Sequence, residues 1–211
     1  MSALGSPAMP GRRWLPAALP WALAVLGCAP DVQPLDDGVV ETAHLRITNT
    51  TGNPICAGTP ILLERELERI AAAVELPLWP EDDKLEVRFG EDAVAEVCGD
   101  PAEGQLNGCV RRVDGELVVA AVEVSYTASH ELVHALRREN GVWSTTAFEE
   151  GLAELLAGSD GFPRYLSYPH GEPIIGPVSL LEVPSEEFHR GHYVASASFL
   201  SWLWRPAVAP R

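Results

Sequence analysis

Residues 126–156 read YTASHELVHALRRENGVWSTTAFEEGLAELL, and this stretch predicts two helices joined by a short connection. In the first helix His130 and His134 stand four residues apart, so their imidazoles lie one turn apart on the same helix face. That spacing lets two side chains bind one metal ion. Glu131 lies roughly a third of a turn around the helix, where it can reach a water on that ion without binding the ion itself.

The residues around this motif favour helix on both sides of the connection. The segment 126–140 contains no proline and carries apolar residues at helical spacing. It meets Gly141, which is typical of the position after a helix C-terminus. A second helix is predicted over 147–156. The stretch therefore predicts a helix, a short loop and a second helix.

The second helix brings carboxylates to the same region. Thr146 and Glu149 have the spacing of a capping box, and Glu150 and Glu154 lie one turn apart on one face. Helical glutamates usually form a solvated face, but these follow a metal-binding pattern.

With these residues the chain resembles the gluzincin metallopeptidases, the thermolysin-like group whose third zinc ligand lies on the helix after the H-E-x-x-H helix. The run Glu150-Gly-Leu-Ala-Glu154 is similar to the E-G-x-A-E variant of many bacterial members. The resemblance implies a Zn²⁺ cofactor bound by His130, His134 and Glu150. Glu149 is the rival third ligand; we favour Glu150, because Glu149 fits the cap and Glu150 pairs with Glu154. It also implies that Glu131 is the general base and that Glu154 holds the imidazole of a ligand histidine. The implied reaction is hydrolysis of peptide bonds in a peptide or protein substrate.

A third helix is predicted over 192–204, and its Tyr193-Val-Ala-Ser-Ala-Ser-Phe199 run resembles a Tyr-x-x-Ala-x-x-Phe helix of bacterial relatives. In gluzincins a His or Tyr stabilises the oxyanion of the tetrahedral intermediate, and the candidates here are Tyr193, His192 and His189. The alternative is a packed tyrosine and surface histidines. His44 and His170 have no partner pattern and are predicted to be structural.

The first 27 residues read as a secretion signal, with Arg12 and Arg13 before an apolar run too short to favour a membrane-spanning helix. The run ends in Val-Leu-Gly-Cys28, which resembles the bacterial lipoprotein box and implies lipidation of Cys28. An ordinary signal peptide is the alternative. Either reading predicts a location outside the cytoplasm, in the bacterial cell envelope or secreted. Residues 28–41, rich in Pro, Asp and Gly, are predicted to be a flexible tether.

The net charge of the chain argues against some classes of binding partner. The 211 residues carry a formal net charge of −15, and the predicted signal contains basic but no acidic residues, so the mature chain is more acidic still. Such a surface argues against binding to nucleic acid and against electrostatic docking on anionic lipid. We expect a monomer that contacts a membrane only through the lipid on Cys28.

Three cysteines remain after Cys28, and one disulfide is expected in an oxidising compartment. Cys98 and Cys109 are the closest pair and the preferred bridge, which leaves Cys56 odd. A Cys56–Cys98 bridge is the alternative. No Cys-x-x-Cys spacing exists, which argues against a cysteine-ligated metal site.

Residues 42–204 are predicted to form one zincin-like domain of the α+β class: a small sheet with an N-terminal helix, followed by the two zinc-binding helices. The helix is predicted from Thr59, as N-cap, to Glu75. Strands are predicted at 44–48, 84–89, 109–113 and 116–122, the last two forming a hairpin around Asp114-Gly115. The Leu117–Val122 stretch is a candidate for the edge strand that lines the cleft in zincins. Residues 158–191 read as a long loop.

Residues 205–211 are predicted to be an irregular tail, where the family usually has further helices that complete a second lobe. A minimal member and a truncated one both fit this C-terminus. Two other functional classes stay open from the sequence: a zinc-dependent hydrolase of a non-peptide amide or ester, and a non-catalytic, zinc-containing binding module of the envelope.

Overall fold

The computed structural model describes residues 34–35, 38–99, 107–124, 126–157, 177–184 and 187–204. In these ranges the chain forms a mixed α/β fold with a five-stranded open sheet, a two-stranded pair and six helices. The strands are β1 (Pro34–Leu35), β2 (Val39–Glu41), β3 (Leu45–Asn49), β4 (Ile55–Cys56), β5 (Leu85–Phe89), β6 (Gly108–Val113) and β7 (Glu116–Ala121). The helices are α1 (Thr59–Val74), α2 (Glu91–Cys98), α3 (Tyr126–Glu139), α4 (Thr146–Leu156), α5 (Pro177–Glu182) and α6 (Arg190–Trp204).

The sheet has the order β2-β3-β5-β7-β6. Its three central strands, β3, β5 and β7, run parallel, whereas β2 and β6 pair antiparallel at the two sides. Parallel neighbours need long crossover connections, which explains why α1 lies between β3 and β5 and why α2 follows β5. The predicted mixture of a small sheet with helices is confirmed, with helices between the strands as well as after them.

Different helices cover the two faces of the sheet. On one face, alternate strand residues such as Ile47, Val87 and Val119 form the main core with Leu67 of α1 and Leu132 of α3. Leu132 is fully buried, on the part of α3 that faces the sheet. This packing fixes the orientation of α3, and so leaves another of its faces for the two histidines.

Strand β7 is buried on both faces, because α3 packs on one side and α2 on the other. Burial on both faces explains the continuous apolar run Leu117–Ala121. The prediction that Leu117–Val122 is an edge strand is therefore wrong, since β7 lies between β5 and β6. The strand at this edge of the described sheet is β6, whose exposed Arg111 and Arg112 are typical of an edge position.

Several predicted boundaries shift. Helix α1 begins at Thr59 with Gly58, not Thr59, as its N-cap, and it ends before Glu75, which adopts a left-handed conformation. Helices α2 and α5 were not predicted, and α5 lies inside the predicted loop 158–191. Strands β1 and β2 fall within the predicted tether 28–41, where β2 pairs with β3. Within the described residues, no helix combines the length and the apolar character that crossing a membrane requires.

The cysteines settle two expectations. Cys98 at the end of α2 and Cys109 in β6 form a disulfide, so the preferred pairing is confirmed and the alternative Cys56–Cys98 bridge is wrong. Cys56 is also disulfide-bonded, so the expectation that it would be left odd is wrong too. Cys28, the predicted signal 1–27 and the predicted tail 205–211 lie outside the described residues.

Candidate metal centre

Helix α3 brings the two histidines of the motif together. His130 and His134 are both buried, and their Nε2 atoms lie 3.0 Å apart. This closeness follows from the four-residue spacing on a regular helix. The helix ends as the sequence predicts, because Gly141 has a φ of 63°.

Helix α4 adds a carboxylate to the pair. One oxygen of Glu150, Oε2, lies 3.0 Å from Nε2 of His130 and 3.4 Å from Nε2 of His134. Potential ligand atoms of the three residues all lie within 4.8 Å of one another. In the described ranges this is the one group of three or more His, Cys, Asp or Glu side chains close enough to hold a metal ion.

The spacing of the three atoms fits a small divalent ion. Ligand bonds of about 2.0–2.1 Å in a tetrahedral site place neighbouring ligand atoms about 3.3–3.4 Å apart. The separations here, 3.0 to 3.4 Å, are close to that value. Among the described residues the candidate ligand atoms are two imidazole nitrogens and one carboxylate oxygen, one fewer than the four of a closed tetrahedral site.

The electrostatics of the cluster favour a positive charge at the same point. Burial opposes protonation of His130, but the carboxylates of Glu150 and Glu154, with the charge of Glu131, outweigh it and raise the pKa of His130 to about 10. Burial likewise opposes ionisation of Glu150, yet the two histidines lower its pKa well below the ordinary value. The carboxylates that stabilise a proton on His130 also attract a metal cation, which must displace that proton because an imidazole binds a metal in its neutral form.

Glu131 is buried next to the cluster but does not belong to it. Burial is the largest cause of its raised pKa. Strand β6 lies against this side chain: a Cβ on Gly108 would come within 3.3 Å of Cγ of Glu131 and within 2.9 Å of the carbonyl oxygen of Ala120. Glycine at 108 is therefore what allows the edge strand to approach the glutamate.

Glu154 lies behind the histidine pair. Its Oε1 atom is 3.2 Å from Nδ1 of His130, on the side of the ring opposite to Glu150, and its side chain is almost fully buried. This contact is at ion-pair distance and is one of the causes of the raised pKa of His130. His130 is thus held between two carboxylates, one at each ring nitrogen.

The side chain of Glu149, the rival ligand, binds Arg137 and not the two histidines. Its carboxylate is fully buried and accepts hydrogen bonds from Nε and Nη2 of Arg137 at 2.8 and 2.7 Å. The predicted capping box of Thr146 and Glu149 is wrong, because the N-cap is Thr145, which makes no side-chain capping hydrogen bond with the described residues. The carbonyl of Thr145 instead accepts the backbone N–H groups of Phe148 and Glu149.

The three oxyanion candidates differ in their described contacts with the histidine cluster. The ring of Tyr193 lies 6.2 Å from that of His130, between centroids. His192 packs against His189 and Phe188, and its Nδ1 accepts the backbone N–H of His189. Partial burial and the neighbouring His189 lower the pKa of His192. Helix α6 thus places Tyr193 beside the cluster, whereas the described contacts of His192 lie within its own segment.

Of the two histidines predicted to be structural, His44 contacts Glu64 of α1 through its backbone N–H and its ring, which fastens the start of β3 to that helix. His170 lies outside the described residues.

Sequence reasoning missed residues that support the cluster. A Cβ on Gly151 would lie 2.8 Å from backbone and side-chain atoms of Ser196, so α6 crosses α4 with almost no space between them. A glycine in the middle of a predicted helix was the available signal. Trp143, whose ring lies 6.1 Å from that of His134, and Arg138 beside it carried no recognisable pattern.

No protein-family model matches the chain, and no curated protein matches it.

Proposed function

We propose that this chain is a zinc-dependent peptidase of the gluzincin type. The observation that carries the proposal is the convergence of His130, His134 and Glu150 on one point, with Glu131 buried beside that point and outside the ligand group. A purely structural metal site needs four protein ligands and no extra carboxylate. An adjacent non-ligand glutamate is what hydrolysis requires.

Zinc is the proposed metal, since two imidazoles and one carboxylate suit it and the separations of the ligand atoms fit its tetrahedral geometry. When bound, Zn²⁺ supplies a Lewis acid that polarises a carbonyl and lowers the pKa of water toward neutrality. Glu154 fixes the orientation of the His130 ring from its far side, which supports tight binding of the metal.

Glu131 acts as the general base. Burial raises the pKa of Glu131 above that of an exposed glutamate, and a higher pKa makes its carboxylate a stronger proton acceptor. In the proposed mechanism it accepts the proton released by the attacking water and then gives it to the leaving amine. Tyr193, beside His130, is the proposed hydrogen-bond donor to the oxyanion, and His192 is the weaker candidate.

Strand β6 is the proposed guide for an extended substrate. It is the terminal strand of the described sheet on this side, and its residue Gly108 lies against Glu131. An extended peptide that pairs with such an edge brings its own backbone carbonyls close to the catalytic residues. This geometry favours a peptide over a compact non-peptide amide or ester.

A location outside the cytoplasm is proposed from the sequence of residues 1–27, and the disulfides agree with an oxidising compartment. Lipidation of Cys28 is a separate proposal, which does not follow from a location outside the cytoplasm. The chain has four cysteines and Cys98 pairs with Cys109, so lipidation of Cys28 and an intramolecular disulfide of Cys56 exclude one another. Mass spectrometry of the N-terminal peptide of the processed protein distinguishes the two.

The test uses the full-length chain, processed and purified from an expression host. Zinc content is measured by atomic emission, and hydrolysis is measured on a reduced and alkylated protein. We expect about one zinc per chain and cleavage that a chelator stops. Glu131→Gln should abolish cleavage while zinc remains bound, and His134→Ala should lose both.

The matched control is Glu139→Gln, the same substitution at an exposed position of α3, which should retain zinc and activity. Zinc without cleavage of any substrate by the wild type would favour the binding module. Cleavage restricted to small amides or esters would favour the non-peptide hydrolase. Absence of stoichiometric metal would exclude the proposal.

A further inference from the structure

Trp143 is a large aromatic side chain that remains half exposed beside the metal centre. Its relative exposure is 52%, and its ring lies 6.1 Å from the ring of His134. Tryptophan carries a large apolar surface, and leaving that surface in water costs free energy. An exposed indole next to a proposed catalytic centre is therefore a surface on which a ligand can pack.

The backbone holds this side chain in place. At the end of α3 the N–H of Val142 donates to the carbonyl of Arg137 and the N–H of Gly141 donates to the carbonyl of Arg138, at 2.9 and 3.1 Å. With Gly141 in the left-handed region at a φ of 63°, these two bonds form a Schellman motif. The motif reverses the chain within two residues, so Trp143 follows α3 at a fixed place rather than on a long loop.

Arg138 covers one face of the ring and joins it to the edge strand. Its guanidinium carbon lies 4.7 Å from the centroid of the Trp143 ring, and its Nη1 donates to the carbonyl of Val110 in β6 at 2.7 Å. Two residues before Val110 in the same strand is Gly108, which lies against Glu131. Trp143, Arg138 and β6 therefore form one connected border around the side of the centre that contains His134.

We propose that Trp143 is the apolar wall of a substrate subsite, and that substrates carry a large apolar or aromatic side chain next to the bond that is hydrolysed. This inference rests on the proposed peptidase function. The cation–π face of the ring already holds a cation, so a lysine or arginine of the substrate would meet the charge of Arg138. An uncharged aromatic or aliphatic side chain packs on the remaining indole surface without that repulsion.

The first experiment maps cleavage sites in a reduced and alkylated protein by mass spectrometry. The wild type should cleave next to large apolar residues. Trp143→Ala should lower kcat/KM for those bonds about tenfold and flatten the preference, whereas Trp143→Phe should stay within about threefold of the wild type. The matched control is Trp202→Ala, which removes another exposed tryptophan, on α6, whose described ring contact is with Phe199.

The profile of Trp202→Ala should equal that of the wild type. The proposal is overturned if Trp143→Ala keeps the wild-type profile, if the preferred residue is charged, or if Trp143→Ala loses its metal, which would assign the side chain a structural role.

A second experiment measures binding without turnover. Metal-loaded Glu131→Gln is titrated with blocked tripeptides that have Phe, Ala or Lys at the centre, and indole fluorescence is recorded. The Phe peptide should bind at least tenfold more tightly than the other two, and the fluorescence change should disappear when Trp143→Phe is added to Glu131→Gln. Equal affinities overturn the subsite. Selective binding together with a wild type that cleaves nothing overturns the peptidase instead.

Discussion

Arg137 and Glu149 form a bidentate ion pair between α3 and α4, the two helices of the candidate metal centre, with nitrogen–oxygen distances of 2.8 and 2.7 Å. The pair stands immediately beside the cluster: Arg137 follows His134 by three residues, and Glu149 directly precedes Glu150. The carboxylate of Glu149 is fully buried. An ion pair with this geometry fixes the distance between α3 and α4 where their ligand atoms must meet.

Glu149→Gln should therefore weaken both the fold and the metal site. Losing the carboxylate leaves the mostly buried guanidinium of Arg137 without its counter-charge, and we expect the free energy of unfolding to fall by about 3–5 kcal/mol. The metal dissociation constant of the folded protein should rise about tenfold. Urea unfolding and competition with a chelating dye measure the two effects.

The control for this ion pair is Glu66→Gln, which breaks a pair with Arg69 one turn along α1. That pair is partly exposed, so its loss should cost at most about 1 kcal/mol and leave metal binding unchanged. Equal stability losses in the two variants would contradict a special role for the buried pair.

Gly151→Ala tests the crossing of α4 and α6. Alanine normally stabilises a helix interior by about 1 kcal/mol relative to glycine, but here the new methyl group would meet the backbone of Ser196 at 2.8 Å. We expect a net loss of about 1–3 kcal/mol in urea unfolding, because the two helices must separate. Gly58→Ala meets no atom within 4 Å, so it should cost no more than the difference between Gly and Ala at a helix N-cap, about 1 kcal/mol. A more stable Gly151→Ala variant would refute the close packing.

The parts of the site that could be predicted are those that one helix determines. His130 and His134 converge because of a spacing within α3, and Gly141 ends that helix because its left-handed conformation suits glycine. The choice between Glu149 and Glu150 does not depend on spacing within one helix. Both positions lie on α4, and only the rotation of α4 relative to α3 decides which carboxylate meets Arg137 and which meets the histidines.

The edge strand was misassigned for a similar reason. A run such as Leu117–Ala121 is apolar on both faces only when a second helix layer covers it, and that layer is α2. Helix α2 has eight residues, too few for a clear helical period in the sequence. Because α2 could not be predicted, the sequence could not show which strand of the hairpin, β6 or β7, lies at the edge of the sheet.

Glu64 gives a prediction for the dependence of stability on pH. Burial opposes its ionisation, but hydrogen bonds from the hydroxyl of Thr42 and from His44 outweigh burial and lower the pKa of Glu64 below 4.5. A lowered pKa means that this contribution is complete above pH 4.5 and is lost as the pH falls through the pKa of the folded state. Glu64→Gln should thus cost about 1.5–3 kcal/mol at pH 7, and progressively less below pH 4.5.

The measurement is urea unfolding of wild type and Glu64→Gln from pH 3 to pH 8. Glu68→Gln is the control, because Glu68 is exposed on the same helix and should give a small, constant difference. A cost for Glu64→Gln that does not change with pH would show that the ionised carboxylate is not what stabilises this contact.

The disulfide between Cys98 and Cys109 ties the edge strand to α2, and its loss should affect both stability and turnover. Replacing both cysteines with alanine frees β6 one residue from Gly108, which lies against Glu131. With a sequence separation of 11, the expected loss is about 3 kcal/mol of unfolding free energy. If the proposed peptidase function holds, hydrolysis per bound metal should fall, because a mobile edge no longer holds an extended substrate beside Glu131, the proposed base, while zinc content stays the same.

Val94→Ala, in the same cluster under α2, serves as a control that lowers stability without freeing the strand. If the double alanine variant and Val94→Ala keep the same turnover per zinc, the tie between α2 and β6 serves the fold alone.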